Sequence, residues 1–113
     1  MKAITRVIFL DEKGEKFFGE GPCRLLRGIE RTGSLRAAAM EMGMSYTKAL
    51  RLMKNAERAL NIQLTMRTTG GRDGGGSILT EEGKEWLGQY EAYRDACVQA
   101  NAELYPAFFP GKR

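Results

Sequence analysis

Histidine is absent from the 113 residues, and cysteine occurs only at Cys23 and Cys97. With no imidazole and no CxxC spacing, the usual zinc ligand sets cannot be assembled, and no metal or other cofactor is expected. A thiol nucleophile at either cysteine would lack a histidine base, and the acidic residues show no paired spacing for acid–base work. No catalytic residue is therefore assigned, and the chain is not read as an enzyme. Long apolar runs are missing too: nothing approaches the ~18 residues that span a bilayer. The start MKAITRVIFLDEK turns acidic after a few apolar residues, which argues against a signal peptide. Two isolated cysteines call for no oxidising compartment, so a cytoplasmic protein without membrane association is expected.

What is present suits one soluble domain, with 42% apolar and 28% charged residues. The net charge of +4 is mild but unevenly placed. From Arg24 to Arg72 there are ten Lys/Arg against three acids; before that stretch the balance is four against four, and after it four against seven. A basic middle between neutral and acidic ends suggests one face for a polyanion, although a solvated basic surface has the same composition.

The order of elements follows from local signals. Residues 4–10, ITRVIFL, read as a strand, DEKG as a turn and EKFFG as the returning strand of a hairpin. Gly21-Pro22 opens a helix with Leu25, Leu26 and Ile29 on its apolar face, ended by Gly33. Ser34 caps the short helix LRAAAMEM, which Gly43 stops. Ser45 then caps YTKALRLMKNAERAL, with Ala49, Leu52, Met53, Ala56 and Leu60 at helical period and Asn61 as terminator. IQLTMR and SILT flank the glycine stretch as two strands. A last helix begins at Thr80, with Glu81 and Glu82 in its first turn. It carries Trp86, Tyr90, Tyr93, Cys97, Ala100 and Leu104 as a heptad seam and is expected to end near Tyr105, before Pro106. Residues 1–105 thus form the domain, and 106–113 a loose tail.

Helix, glycine turn, helix is a helix-turn-helix. Ala38 and Ala39 fall where its helices cross, Gly43 at the turn, and Met42, Met44, Ala49 and Leu52 at buried positions. The glycine-tipped hairpin that follows makes the fold class α+β, mainly helical: a winged helix-turn-helix with an N-terminal β-hairpin, a two-stranded wing and a long C-terminal helix. GGRDGGGS is no phosphate loop, because it lacks the GK[ST] ending and does not lead from a strand into a helix in that register.

The run TGSLRAAAMEMGMSYTKAL, followed by TTGGRDGGGSILTEEG, resembles the DNA-binding domain of the ModE family of molybdate-responsive bacterial transcription regulators. The hairpin FLDEKGEKFFGEG resembles the start of stand-alone regulators of that kind. The likeness covers Arg6 to Tyr93; the helix-turn-helix alone would also fit LysR-type domains. The resemblance implies a homodimeric regulator that binds duplex DNA. ModE proteins carry molybdate-binding modules beyond the matched stretch, so direct oxyanion sensing is not implied.

In such a reader the second helix enters the major groove by its N-terminal end. Ser45, Tyr46, Thr47, Lys48, Arg51 and Lys54 then face outward. Ser45 serves as cap, as contact, or as both; Tyr46 meets DNA or shields the turn. Arg51 suits the two acceptors of guanine, whereas Lys48 and Lys54 suit phosphates. Arg36 is placed to meet the backbone. In the wing, Arg67 and Arg72 supply charge and Thr68 and Thr69 hydroxyls, unless the hairpin touches nothing. Trp86, Tyr90, Tyr93 and Cys97 are expected to lie partly in the dimer interface; for Cys97, a small buried residue is the simpler account. The alternative function is an interaction module of the same fold that pairs with another regulator and does not read DNA. A DNA reader that depends on a separate sensor protein fits both.

Overall fold

The computed structural model describes residues 1–69 and 76–111. Its elements are β1 (Phe9–Leu10), β2 (Lys16–Phe18), α1 (Glu20–Thr32), α2 (Leu35–Glu41), α3 (Tyr46–Leu60), β3 (Thr65–Thr68), β4 (Gly76–Leu79) and α4 (Glu81–Phe108). The strands form two separate antiparallel pairs, β1 with β2 and β3 with β4. Among the described residues no helix is long and apolar enough to cross a membrane.

Caps and terminators sit where their chemistry directs. The Ser34 side chain accepts the Ala37 N–H and that of Ser45 accepts the Lys48 N–H, so each satisfies a donor that its helix leaves free. Gly33 (φ 75°) ends α1 and Gly43 (φ 66°) makes the turn after α2, both in the left-handed region. Asn61 ends α3 with φ 56°. The Thr80 hydroxyl accepts the Gly83 N–H at the start of α4 and donates to the Gln63 carbonyl.

The core lies where α1, α2 and α3 meet. Leu25, Leu26 and Ile29 of α1 are buried, as are Ala38, Ala39, Ala49, Met53 and Ala56 across the helix-turn-helix. Each fully buried large side chain contributes about 1.5–3 kcal/mol. The α1–α2 crossing is tight: a Cβ on Gly28 would stand 2.7 Å from that of Ala38. A second layer is aromatic. Phe18 packs edge-on against Trp86 and Tyr90 at centroid distances of 5.2 and 4.8 Å, and Phe9 lies 5.3 Å from Trp86.

Four expectations change. The strand expected over 4–10 is paired only at Phe9–Leu10. Residues before it follow α4 instead: Tyr90, Asn101 and Tyr105 side chains donate to the carbonyls of Val7, Ala3 and Met1. Helix α1 begins at Glu20, so Pro22 stands third, where its missing N–H is still one that no helical carbonyl would take. The wing strands are Thr65–Thr68 and Gly76–Leu79 rather than 62–67 and 77–80. Finally, α4 runs through Pro106 to Phe108. So close to the end, the proline removes one intrahelical bond, and the helix still closes with Phe109 N–H donating to the Tyr105 carbonyl. Residues 106–108 are therefore helical and not part of a loose tail.

Candidate nucleic-acid interface

The first turn of α3 is fixed from below and open above. Ala49 and Met53 anchor its inner face in the core, which leaves Ser45, Thr47, Lys48, Arg51 and Lys54 exposed. Tyr46 is half-buried and packs against the core. The Arg36 guanidinium lies over its ring, 4.3 Å from the centroid. That stacking places one cation beside the start of α3 and holds the ring over the turn, so shielding is part of what Tyr46 does.

Between α3, the start of α2 and the wing lies an open cleft of about 820 Å³. Its walls include Ser34 and Arg36 from α2 and its cap, Tyr46, Leu50, Lys54 and Glu57 from α3, and Thr65, Met66, Arg67 and Ser77 from the wing. Thr47, Lys48 and Arg51 are not among its walls and form a neighbouring exposed stripe of α3. Two surfaces of one helix are thus available, one facing the wing and one facing away.

Charge is unequally satisfied across the molecule. Arg27, Arg31 and Arg94 are paired with Glu91, Glu41 and Glu20. Among the described residues, Arg36, Lys48, Arg51 and Arg67 have no ion-pair partner, whereas Lys54 stands 3.7 Å from Glu57. The other Glu57 oxygen accepts the Leu64 N–H at 2.8 Å, which secures the approach to the wing.

The wing is docked onto the helices. Ser77 N–H donates to the Gly33 carbonyl at 2.8 Å, and Gly76 approaches that carbonyl so closely that a side chain would collide with it. Arg67 and Thr69 are exposed. Thr68 is half-buried, and its hydroxyl oxygen accepts the Gly76 N–H at 3.0 Å, closing the hairpin. Arg72 lies outside the described residues.

The α4 seam divides in two. Tyr90 is 2% exposed and Trp86 packs beside it in the aromatic layer, so the hairpin of the same chain already occupies both. Tyr90 is corrected from an interface residue to a core residue: three phenylalanines far away in sequence claim this end of the seam. Tyr93 is 56% exposed, Cys97 is half-buried, and Leu104 is exposed.

Sequence reasoning missed Leu50, Gln63, Met66 and Ser77 as cleft residues. The position of Leu50, four residues after Tyr46 and four before Lys54, was the available signal, since such residues share a helix face.

Residues 23–84 match the family described as bacterial regulatory helix-turn-helix protein, lysR family. The chain is similar to the molybdenum-pterin-binding protein MopB of Rhodobacter capsulatus, with 34% identity over 88 residues, 78% of this chain and 32% of that protein. It is also similar to the molybdenum transport protein ModE of Azotobacter vinelandii, with 38% identity over 69 residues, 61% of this chain and 26% of that protein. It thus spans a third or less of the length of these relatives. Its fold is like that in the crystal structure of a CbnR_DBD–DNA complex, with TM-score 0.62 and 20% identity over 77% of this chain and 94% of the other. With the match covering more than half of its length, the chain belongs to the bacterial regulatory helix-turn-helix proteins of the lysR family.

Proposed function

We propose that this protein binds duplex DNA as a homodimer and regulates transcription. The observation that carries the reading is the set of exposed cations, Arg36, Lys48, Arg51 and Arg67, on α3 and around its cleft, none with an ion-pair partner among the described residues. In this proposal α3 lies in a major groove, Arg51 bonds a guanine edge, and Lys48 and Lys54 meet phosphates. Ser45 retains a hydroxyl hydrogen for a phosphate, and Thr47 presents a hydroxyl to the groove. Arg67, Thr69 and Arg72 serve the wing, with Thr68 holding its strands together. The solved complex of similar fold contains DNA, which supports the same reading.

The dimer rests on α4. The molecule measures 58 × 30 × 24 Å, and its radius of gyration is 16.8 Å, against about 13 Å for a compact chain of this length. From Ala96 to Phe109 the helix carries a single charge, Glu103, yet Val98, Leu104, Phe108 and Phe109 are exposed. A long helix that is both projecting and charge-poor suits association with a second copy, since interface centres are depleted in charge. Tyr93 and Cys97 fit that surface, and Trp86 borders it.

Selection of bound duplexes from a random pool, followed by salt titration on the selected site, tests the function. Sequence-selective binding is expected, with affinity falling by a log–log slope of roughly 0.9 per neutralised phosphate. Failure to bind any duplex at low salt would favour the interaction module.

A further inference from the structure

We propose that Leu50 is a specificity residue that reads a thymine methyl group, an inference that rests on the DNA-binding function proposed above. A lone exposed leucine is ordinary on any protein surface. Leu50 differs in its setting. It is 37% exposed, whereas the other large apolar residues of α3, Leu52, Met53 and Leu60, are buried in or packed against the core. It lines the cleft between α3 and the wing. Tyr46 precedes it by four residues and Lys54 follows it by four, so the three form one stripe at helical spacing. Arg36, stacked on Tyr46, stands at one end of that stripe and Lys54 at the other.

Cations at both ends suit the phosphates that border a groove, while the middle of the stripe meets base edges. Leucine can neither donate nor accept a hydrogen bond, so it cannot distinguish guanine from adenine by their acceptors. The C5 methyl of thymine is the apolar group that the major groove offers. Its contact with Leu50 would remove both surfaces from water. Leu50 would therefore select a T·A step beside the base read by Arg51, with no contribution to phosphate binding.

Replacing thymines of the selected site one at a time with deoxyuracil removes only that methyl group. For the unaltered protein, one replacement should weaken binding about four-fold, the effect of one buried methyl-sized group. Leu50→Ala should bind the thymine site about as weakly and be indifferent to that replacement, with an unchanged salt slope. Leu50→Met, still apolar, should keep the sensitivity and would also answer any concern that the alanine variant is misfolded. Indifference of the unaltered protein to every deoxyuracil, or full sensitivity in folded Leu50→Ala, overturns the assignment. Absence of duplex binding by the unaltered protein removes the DNA-binding function itself, a result distinguishable from either.

Discussion

The amide of Ser77 donates to the carbonyl of Gly33 at 2.8 Å, tying the second wing strand to the turn between α1 and α2. Gly76 must pass that same carbonyl without a side chain. The obstructing atom belongs to the backbone and cannot rotate away. Gly76→Ala should therefore cost about 1–3 kcal/mol in urea unfolding, as overpacked sites do. Gly88→Ala is the control: nothing lies within 4 Å of its added Cβ, and helix α4 should gain about 0.5–1 kcal/mol. Equal stabilities for the two variants would contradict the docked wing.

Arg27 joins α1 to α4 through Glu91, with its Nε donating to Oε2 at 2.9 Å. That hydrogen bond is the chief reason the Glu91 carboxyl lies below its ordinary value of 4.5. A depressed carboxylate stabilises the fold while ionised. Its contribution should be complete above about pH 4.5 and lost as pH falls through the lower folded value. Because Arg27 is half exposed, the pair is worth about 0.2–1 kcal/mol. Glu91→Gln should lower the melting temperature at pH 7 and flatten its decline as pH falls below about 4.5. An unchanged acid profile would show the pair to be unimportant.

Two cations on α3 should behave differently. Lys54→Ala is expected to weaken binding to all duplexes alike and reduce the salt slope by about one. Arg51→Ala should cost about 1–3 kcal/mol and relax preference at one base pair. Selections repeated with each variant distinguish these outcomes, and identical altered preferences would refute the division of roles.

Tyr93 is the exposed member of the aromatic seam, at the edge of the part packed by the chain's own phenylalanines, with the Phe9 ring 6.2 Å from its own. Tyr93→Glu should dissociate the dimer with little loss of monomer stability, whereas Tyr90→Ala should unfold the domain by about 3–5 kcal/mol. Sedimentation equilibrium at micromolar concentration measures the first effect. A monomeric unaltered protein would rule out the proposed assembly.

Local chemistry was legible in the sequence. Ser34, Ser45 and Thr80 accept nearby amides, and Gly33 and Asn61 adopt the conformations that their residue types permit. These outcomes depend on neighbours within a few residues. ITRVIFL has the composition of a strand, but its early residues find their partners on Tyr90, Asn101 and Tyr105, across almost the whole chain. No local pattern carries that information. Likewise, the heptad seam could not reveal that Phe9, Phe17 and Phe18 occupy its first turns. The cations of α3 were visible as outward positions; Leu50 gained meaning only when the wing supplied the opposite wall.

Thr80 makes the passage from β4 to α4 a welded joint. Its amide donates to the Leu64 carbonyl at 3.0 Å, its hydroxyl bridges Gln63 and Gly83, and the bare Gly83 backbone presses against Leu64. From that pivot α4 extends about 42 Å at 1.5 Å per residue. Such an arm is a lever: a rotation of about five degrees at one end corresponds to a displacement of about 4 Å at the other. In the proposed dimer, angular play where two copies clasp one another would reach the wing magnified by that length. A constant spacing between paired half-sites would therefore require the far end of α4 to be held firmly.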